Sequence, residues 1–392
     1  VKIMAIYVVR AGESVDSIAA KSGLGELGVS EIIYINQLEY PYKLAVGQAL
    51  WLPDSAENAG RPLFGRAAFT NGYAYPFIEE GILEESLLYL SALSIFSYGF
   101  SENGDLVSPP LDDERLIMAA RAAQTRPILT LTPFGADGMF NNYLISRLVN
   151  SESAKKNMFA QLGETMQYKG YLGIDVDFEY ILAEDKDAFT RFVQELAVYM
   201  HSLGYTLSIA LAPKTSAEQT GILHEGQDYA ALGAAADNTL LMTYEWGYTY
   251  SEPMPIAPLN WVRRVLDYSV TVIPPSKLDL GIPNYAYDWT LPYVKGESKA
   301  RTFGVVEAMR QAAEYGAEIF FDETAQSPYY NYVADGVEHE VWFEDVRSLR
   351  AKLALIDEYG LHGGGWWQVM RLFRAGWYLL ATYFDIEKSQ NL

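Results

Sequence analysis

Three acids stand at alternate positions in Tyr171-Leu172-Gly173-Ile174-Asp175-Val176-Asp177-Phe178-Glu179-Tyr180. A strand alternates its side chains, so Asp175, Asp177 and Glu179 share one face while Ile174, Val176 and Phe178 share the other. Successive acids are then about 6 to 7 Å apart. Carboxylates so placed on a core strand lose hydration and repel one another, and packing gives no reason to keep them there. Such crowding holds a carboxylic acid protonated near neutral pH, the state a general acid needs. A metal site is the rival reading. The histidines His201, His224, His339 and His362 are scattered without ligand spacing, so no metal is expected.

The elements that must position these acids are visible as an alternation. Strand-like runs occur at 67–75, 92–98, 127–132, 171–179, 206–211, 239–244, 277–283 and 363–369. Helix-like runs separate them at 83–90, 112–123, 151–167, 185–202, 228–235, 259–271 and 302–315, with a last one near 371–383. Eight strand–helix repeats predict an α/β fold, a (β/α)8 TIM barrel over residues 66–392. The doubly wound sheet would want a Gly-rich phosphate loop after its first strand, and there is none. The acids fall on the fourth strand, with Glu179 at its C-terminal end, where barrel active sites form. A stretch at about 317–345 is too long for one connection and reads as a small inserted α+β element on the rim. Residues 54–65 read as a small, polar linker. Before it, residues 1–53 have the order strand, helix, helix, strand, with Ser14 and Ser30 as helix caps.

Composition narrows the partners. Against 29 Lys and Arg stand 50 Asp and Glu, a net charge of −21. That field repels nucleic acid and anionic membrane surfaces. With no cysteine, disulfides, thiolate metal sites and cysteine nucleophiles are excluded. No run of about 18 apolar residues is present, and the first residues do not read as a secretory signal. The 29 Tyr and 8 Trp beside many carboxylates suit sugar rings, although tyrosine also fills cores.

The first fifty residues resemble the LysM module, a unit that binds N-acetylglucosamine polymers. The likeness rests on Tyr7-Val8-Val9-Arg10-Ala11-Gly12-Glu13-Ser14, Ile18-Ala19, Ile32 to Asn36 and Leu44-Ala45-Val46-Gly47-Gln48-Ala49-Leu50-Trp51-Leu52-Pro53. It implies a shallow glycan groove between the first strand–helix loop and the second helix–strand loop, with one such module acting as a weak tether. The acid-bearing strand resembles the family 18 glycoside hydrolase signature Asp-Gly-x-Asp-x-Asp-x-Glu. Gly173, Asp175, Asp177 and Glu179 match, and Leu172 replaces the first acid on the opposite face. The resemblance implies substrate-assisted hydrolysis. Glu179 protonates the leaving oxygen, Asp177 orients the substrate's acetamide, and Asp175 shares a proton with Asp177. Leu241-Met242-Thr243-Tyr244-Glu245-Trp246 resembles the sixth-strand motif. It implies that Tyr244 donates to the acetamide, with Glu245 where Asp is usual. Gly363-Gly364-Gly365-Trp366-Trp367 resembles the eighth-strand motif, with Trp367 preferred over Trp366 as the floor of the subsite. Tyr98, Asn284, Tyr285, Tyr287 and Trp289 are rim candidates for sugar contact.

Nearly the whole chain resembles LysM-bearing family 18 enzymes of spore-forming bacteria, which act on spore cortex peptidoglycan fragments. That implies a retaining β-N-acetylglucosaminidase, monomeric and without a cofactor, on the spore coat or otherwise at the cell wall. Its partner would be peptidoglycan or another N-acetylglucosamine glycan, with no nucleic acid and no membrane. A chitinase acting on chito-oligosaccharides is the alternative. A lectin that binds without cleavage, or a spore-coat protein, is a further one, against which the retained Glu179 argues.

Overall fold

The computed structural model describes residues 6–53, 63–135 and 138–389. Eight parallel strands form the barrel: β1 (Ala67–Ala74), β2 (Ala92–Phe100), β3 (Arg126–Leu131), β4 (Gly173–Val176), β5 (Thr206–Leu211), β6 (Asn238–Leu241), β7 (Leu278–Pro283) and β8 (Gly363–Trp367). Each pairs with the next, and β8 pairs with β1 from Gly363↔Phe69 to Trp366↔Gly72, which closes the sheet. All eight strands fall where the alternation places them.

The helices follow with one exception. The run at 302–315 forms a helix, Val305–Tyr315, but it does not cover the barrel after β7. That place is taken by Val346–Glu358, whose apolar residues Val346, Leu349, Leu353 and Ile356 are buried. The helix at 305–315 belongs instead to a rim excursion with its own five-stranded antiparallel sheet. The sheet contains Ala286–Thr290, Arg301–Phe303, Phe320–Asp322, Ser327–Ala334 and Val337–Trp342. The excursion therefore begins just after β7 and is wider than 317–345. Its first strand is recruited by pairing with a distant one, Tyr287↔Trp342, which no local period announces.

The N-terminal unit has strands Ile6–Val8 and Ala49–Trp51 around helices Val15–Lys21 and Gly25–Ile35. Ser14 caps the first helix in a reciprocal box with Ser17. Ser30 does not cap the second, which begins at Gly25 and carries Ser30 inside it. Buried Asn36 closes that helix by donating to Ile32 O and Trp51 O, and it accepts from Trp51 N.

This unit is docked on the barrel. Its own core is Val9, Val15, Ile18, Ala19, Ile32, Leu50 and Leu52. Ile35, Ala45, Ala49 and Trp51 join the barrel's core instead. Ile319 N donates to Val46 O at 2.8 Å, and Arg347 Nη2 donates to Gly47 O at 3.1 Å. Arg374 donates to Tyr34 O while its side chain is paired with Glu85. Gly47 has φ 82°, and a Cβ there would lie 1.9 Å from Ile319 O, so only glycine fits. Arg347 and Arg374 stand at the start of their helices, and these helix starts lie at the barrel end where the strands finish. The N-terminal unit therefore sits at that same end. The linker expected at 54–65 lies almost wholly outside the described residues.

Trp51 is buried between the two units. Trp51→Ala is expected to cost about 3–5 kcal/mol. A single calorimetric transition should move down as a whole, whereas independent units would show one transition moved and one unchanged.

Candidate active site

The inward faces of the strands build the site from below upward. At the bottom, Asp279 on β7 accepts from Asn238 at 2.5 Å and pairs with His362 at 2.9 Å. One layer higher, Asp175 is fully enclosed and accepts from Tyr73 Oη at 2.8 Å and Ser208 Oγ at 2.6 Å. Burial raises its pKa, and these two donors only partly oppose that. Tyr73 comes from β1, and Ser208 is the register partner of Asp175 on β5.

Above this layer opens a cavity of about 610 Å3 lined by Asp177, Glu179, Tyr244, Glu245 and Trp367 among others. Asp177 is buried, and its Oδ1 has no hydrogen-bond partner. Burial, then the charges of Glu179 and Asp175, push its pKa well up. All three causes favour the protonated form of Asp177. Glu179 is pushed up to about 7, by burial first and by the charge of Glu245 second. The crowding around Glu179 thus comes from Glu245 across the cleft as well as from Asp177 on its own strand, whose pKa the Glu179 charge raises in turn.

Tyr244 is buried and stays a neutral phenol, its pKa raised by burial and by Asp177. Glu245 follows it at φ 66°, and Tyr180 follows Glu179 at φ 60°. Two non-glycine residues in the left-handed region, each directly after a candidate residue, turn the chain sharply at the cavity mouth. Trp367 faces inward with Gly363 and Gly365, its ring 5.0 Å from Phe96 and 5.5 Å from Tyr73. Trp366 faces outward against Trp377 at 5.4 Å.

None of the five rim candidates lines the cavity. Tyr98 is fully buried and donates to Asp113 at 2.7 Å, beside Tyr171 and Lys169. A register irregularity between Ile95 and Tyr98 reverses the alternation, so Phe96 faces the cavity and Tyr98 the helices. Asn284 is buried and donates to Gln368 O and Arg371 O, tying the end of β7 to the turn after β8. Tyr285 is buried and donates to Glu245 at 2.5 Å, so it meets the site through that carboxylate. Tyr287 does the same at 2.9 Å, and Trp289 donates to Ser251 O.

The cavity also contains residues that the sequence reading missed: Phe140, Ile222, Leu223 and His224 from loops, and Phe96 and Tyr73 from strands. Inward parity on β1 would have found Tyr73. The loop residues carry no such signal. Among the described residues, no cluster of His, Asp and Glu is arranged to hold a metal ion. Among them also, no helix is long and apolar enough to cross a membrane.

The family model for glycosyl hydrolases family 18 matches residues 79–371, and the model for the LysM domain matches residues 7–53. The cortical fragment-lytic enzyme of Bacillus subtilis (strain 168) is 34% identical, over 98% of this chain and 99% of that protein. The spore cortex-lytic enzyme SleL of Bacillus megaterium QM B1551 superposes with a TM-score of 0.90 at 29% identity, over 98% of each chain. SleL of Bacillus cereus gives 0.88 at 31% identity, over 98% of this chain and 99% of that one.

The orphaned Asp177 has a measurable cost. Its raised pKa means that the folded state binds a proton which the unfolded state has released above about pH 4. Stability therefore falls as pH rises through that window, and the deficit is present at pH 7. Asp177→Asn removes it. The variant is expected to melt above wild type at pH 7, with the gap closing as pH falls toward 4. An equal gap at both pH values would contradict a neutral, desolvated Asp177.

Proposed function

Because the chain belongs to glycosyl hydrolases family 18 and is a glycoside hydrolase, we propose that it cleaves the bond after N-acetylglucosamine in peptidoglycan by substrate-assisted catalysis. The observation that carries this reading is the unpartnered, buried Asp177 oxygen beside Glu179, an acid pushed up to about 7. A buried polar atom without a partner is costly, and an acetamide N–H is the group that would satisfy it. Tyr244 would donate its hydroxyl to the acetamide carbonyl, and Trp367 would take the apolar face of the sugar.

In the first step Glu179 gives its proton to the glycosidic oxygen as the C1–O bond breaks. The acetamide oxygen bonds to C1 and forms an oxazolinium ion, whose N–H faces Asp177. In the second step water attacks C1 from the vacated side and loses its proton to Glu179, and the acetamide is restored. Both steps invert at C1, so the configuration is retained without an enzyme nucleophile. Asp175 would share the proton of Asp177 across one strand turn, its own charge being steadied by Tyr73 and Ser208.

The choice of peptidoglycan is supported by the relatives, which are cortical fragment-lytic and spore cortex-lytic enzymes, and by the LysM match. Spore or cell-wall association follows from the same reading. The −21 charge gives no general attraction to a partly anionic wall, so retention rests on acetamide-specific contacts in the LysM groove and cleft.

The test is a digest of reduced cortex muropeptides, with the products' reducing ends identified by mass spectrometry. N-acetylglucosamine ends are expected, and preferential release from chito-oligosaccharides would favour a chitinase. Glu179→Gln is expected to lose about 10^2- to 10^4-fold in kcat while still binding. Because the acid must be protonated, wild-type activity should fall as pH rises through about 7. For the LysM role, deleting residues 1–53 would uncover the helices Val346–Glu358 and Arg374–Tyr383, on which strand Ala49–Trp51 packs, so a surface variant is the cleaner probe. Tyr40 is 86% exposed on the second groove loop. Tyr40→Ala should reduce retention on insoluble wall more than turnover of soluble fragments. Equal retention would remove the loop from the groove.

A further inference from the structure

The rim sheet reaches into the site at one point. Tyr285 precedes the rim strand Ala286–Thr290 and Tyr287 lies within it. Spaced by two, they present both hydroxyls to one carboxylate, that of Glu245. Tyr285 donates to Glu245 Oε1 at 2.5 Å, while Tyr287 reaches Oε1 at 2.9 Å and Oε2 at 3.1 Å. Both phenols are buried, and their rings meet edge to face at 5.5 Å. The strand that carries them is pinned by the pairs Tyr287↔Trp342 and Ala286↔Phe303. Glu245 itself faces the cavity opposite Glu179.

We infer that Tyr285 and Tyr287 are positioning residues: their two hydroxyls hold the Glu245 carboxylate fixed on the wall of the cavity it shares with Glu179, and they act on that acid through it. This rests on the reading of Glu179 as the acid. The groups that face this pair are Asp177 and Tyr180 beside Glu179, Tyr73 from β1, His224 from the loop after β5, and Tyr244 and Tyr248 at the end of β6. The described lining contains no lysine or arginine. Asp177 is pushed toward its protonated form, and burial holds His224 below its ordinary value, toward its neutral form. The charge of Glu245 therefore reaches Glu179 without a cation between them. Burial pushes the Glu245 pKa up, and the two phenols pull it back. Without them Glu245 takes up a proton more readily, its charge is lost from the cleft, and Glu179 becomes the stronger acid.

The sign of the effect makes the test specific. In the double variant Tyr285→Phe with Tyr287→Phe, the alkaline limb of kcat/KM should move to lower pH by about 0.5 unit or more. Glu245→Gln should move it the same way. The triple variant should match Glu245→Gln alone, because the phenols act through that charge. A limb that stays at the wild-type pH in the double variant, or that moves again when the tyrosines are changed in the Glu245→Gln background, would overturn the inference. Tyr287→Phe alone is the fallback if the double variant folds poorly, with a smaller shift in the same direction. Infrared pH-difference spectra, with Glu179→Gln subtracted, read the Glu179 carboxyl without substrate and should show the same shifts. If wild type cleaves no acetamido glycan, the proposed function fails, and the infrared titration still decides the clamp.

Discussion

The cost of holding carboxyl groups away from water governs this molecule. A barrel interior solvates charge poorly, so each acid placed there must find donors, take up a proton or wait for a ligand. Asp279 takes the first course at the bottom layer, with Asn238 and His362 around it. Asp175 takes it one layer higher, with Tyr73 and Ser208. Asp177 leaves Oδ1 without a partner and is pushed toward its protonated form. Glu179, at the rim of the dry zone, is left near the middle of the physiological range. The gradient from satisfied to unsatisfied runs along the barrel axis, and the candidate acid stands where satisfaction stops.

Much of this was legible in advance, for a definable reason. The strand period is two, and the acids obey it, so their shared face followed from spacing alone. The eight strands were visible because each is a short apolar run closed by turn residues. Alternation failed where the backbone departs from regular pairing. Tyr98 reads as a rim contact, but the irregularity after Ile95 turns it to the helices. Helix 346–358 was hidden because the excursion before it offered another helix, 305–315, in the expected place. Asn284, Tyr285 and Tyr287 read as sugar contacts because exposed polar and aromatic residues after a strand usually face solvent. Their actual partners lie 40 to 87 residues away, which no local pattern encodes. The docking of the N-terminal unit was invisible for the same cause. Ile35 and Trp51 look like that unit's own core, and only the assembled structure shows which core they serve.

The rim excursion links these observations. It begins directly after β7, supplies two phenols to a carboxylate in the cleft, and carries Ile319 to the backbone of Val46. One inserted sheet therefore touches both the candidate site and the N-terminal unit. Its boundaries matter more for function than its small size implies.

The glycine at position 47 has a kinetic meaning beyond its fit. A module on a free tether samples a volume set by chain length, and its effective concentration at a second site falls as the chain grows. A module seated through Gly47, Trp51 and Arg374 samples no such volume. The orientational entropy of bringing two glycan-facing surfaces together is lost once, during folding, and not again at each encounter. On the proposed function, a saccharide strand that meets this protein meets one joined surface, so the spacing between a sugar held by the N-terminal unit and the bond cut in the cleft would be a property of the fold.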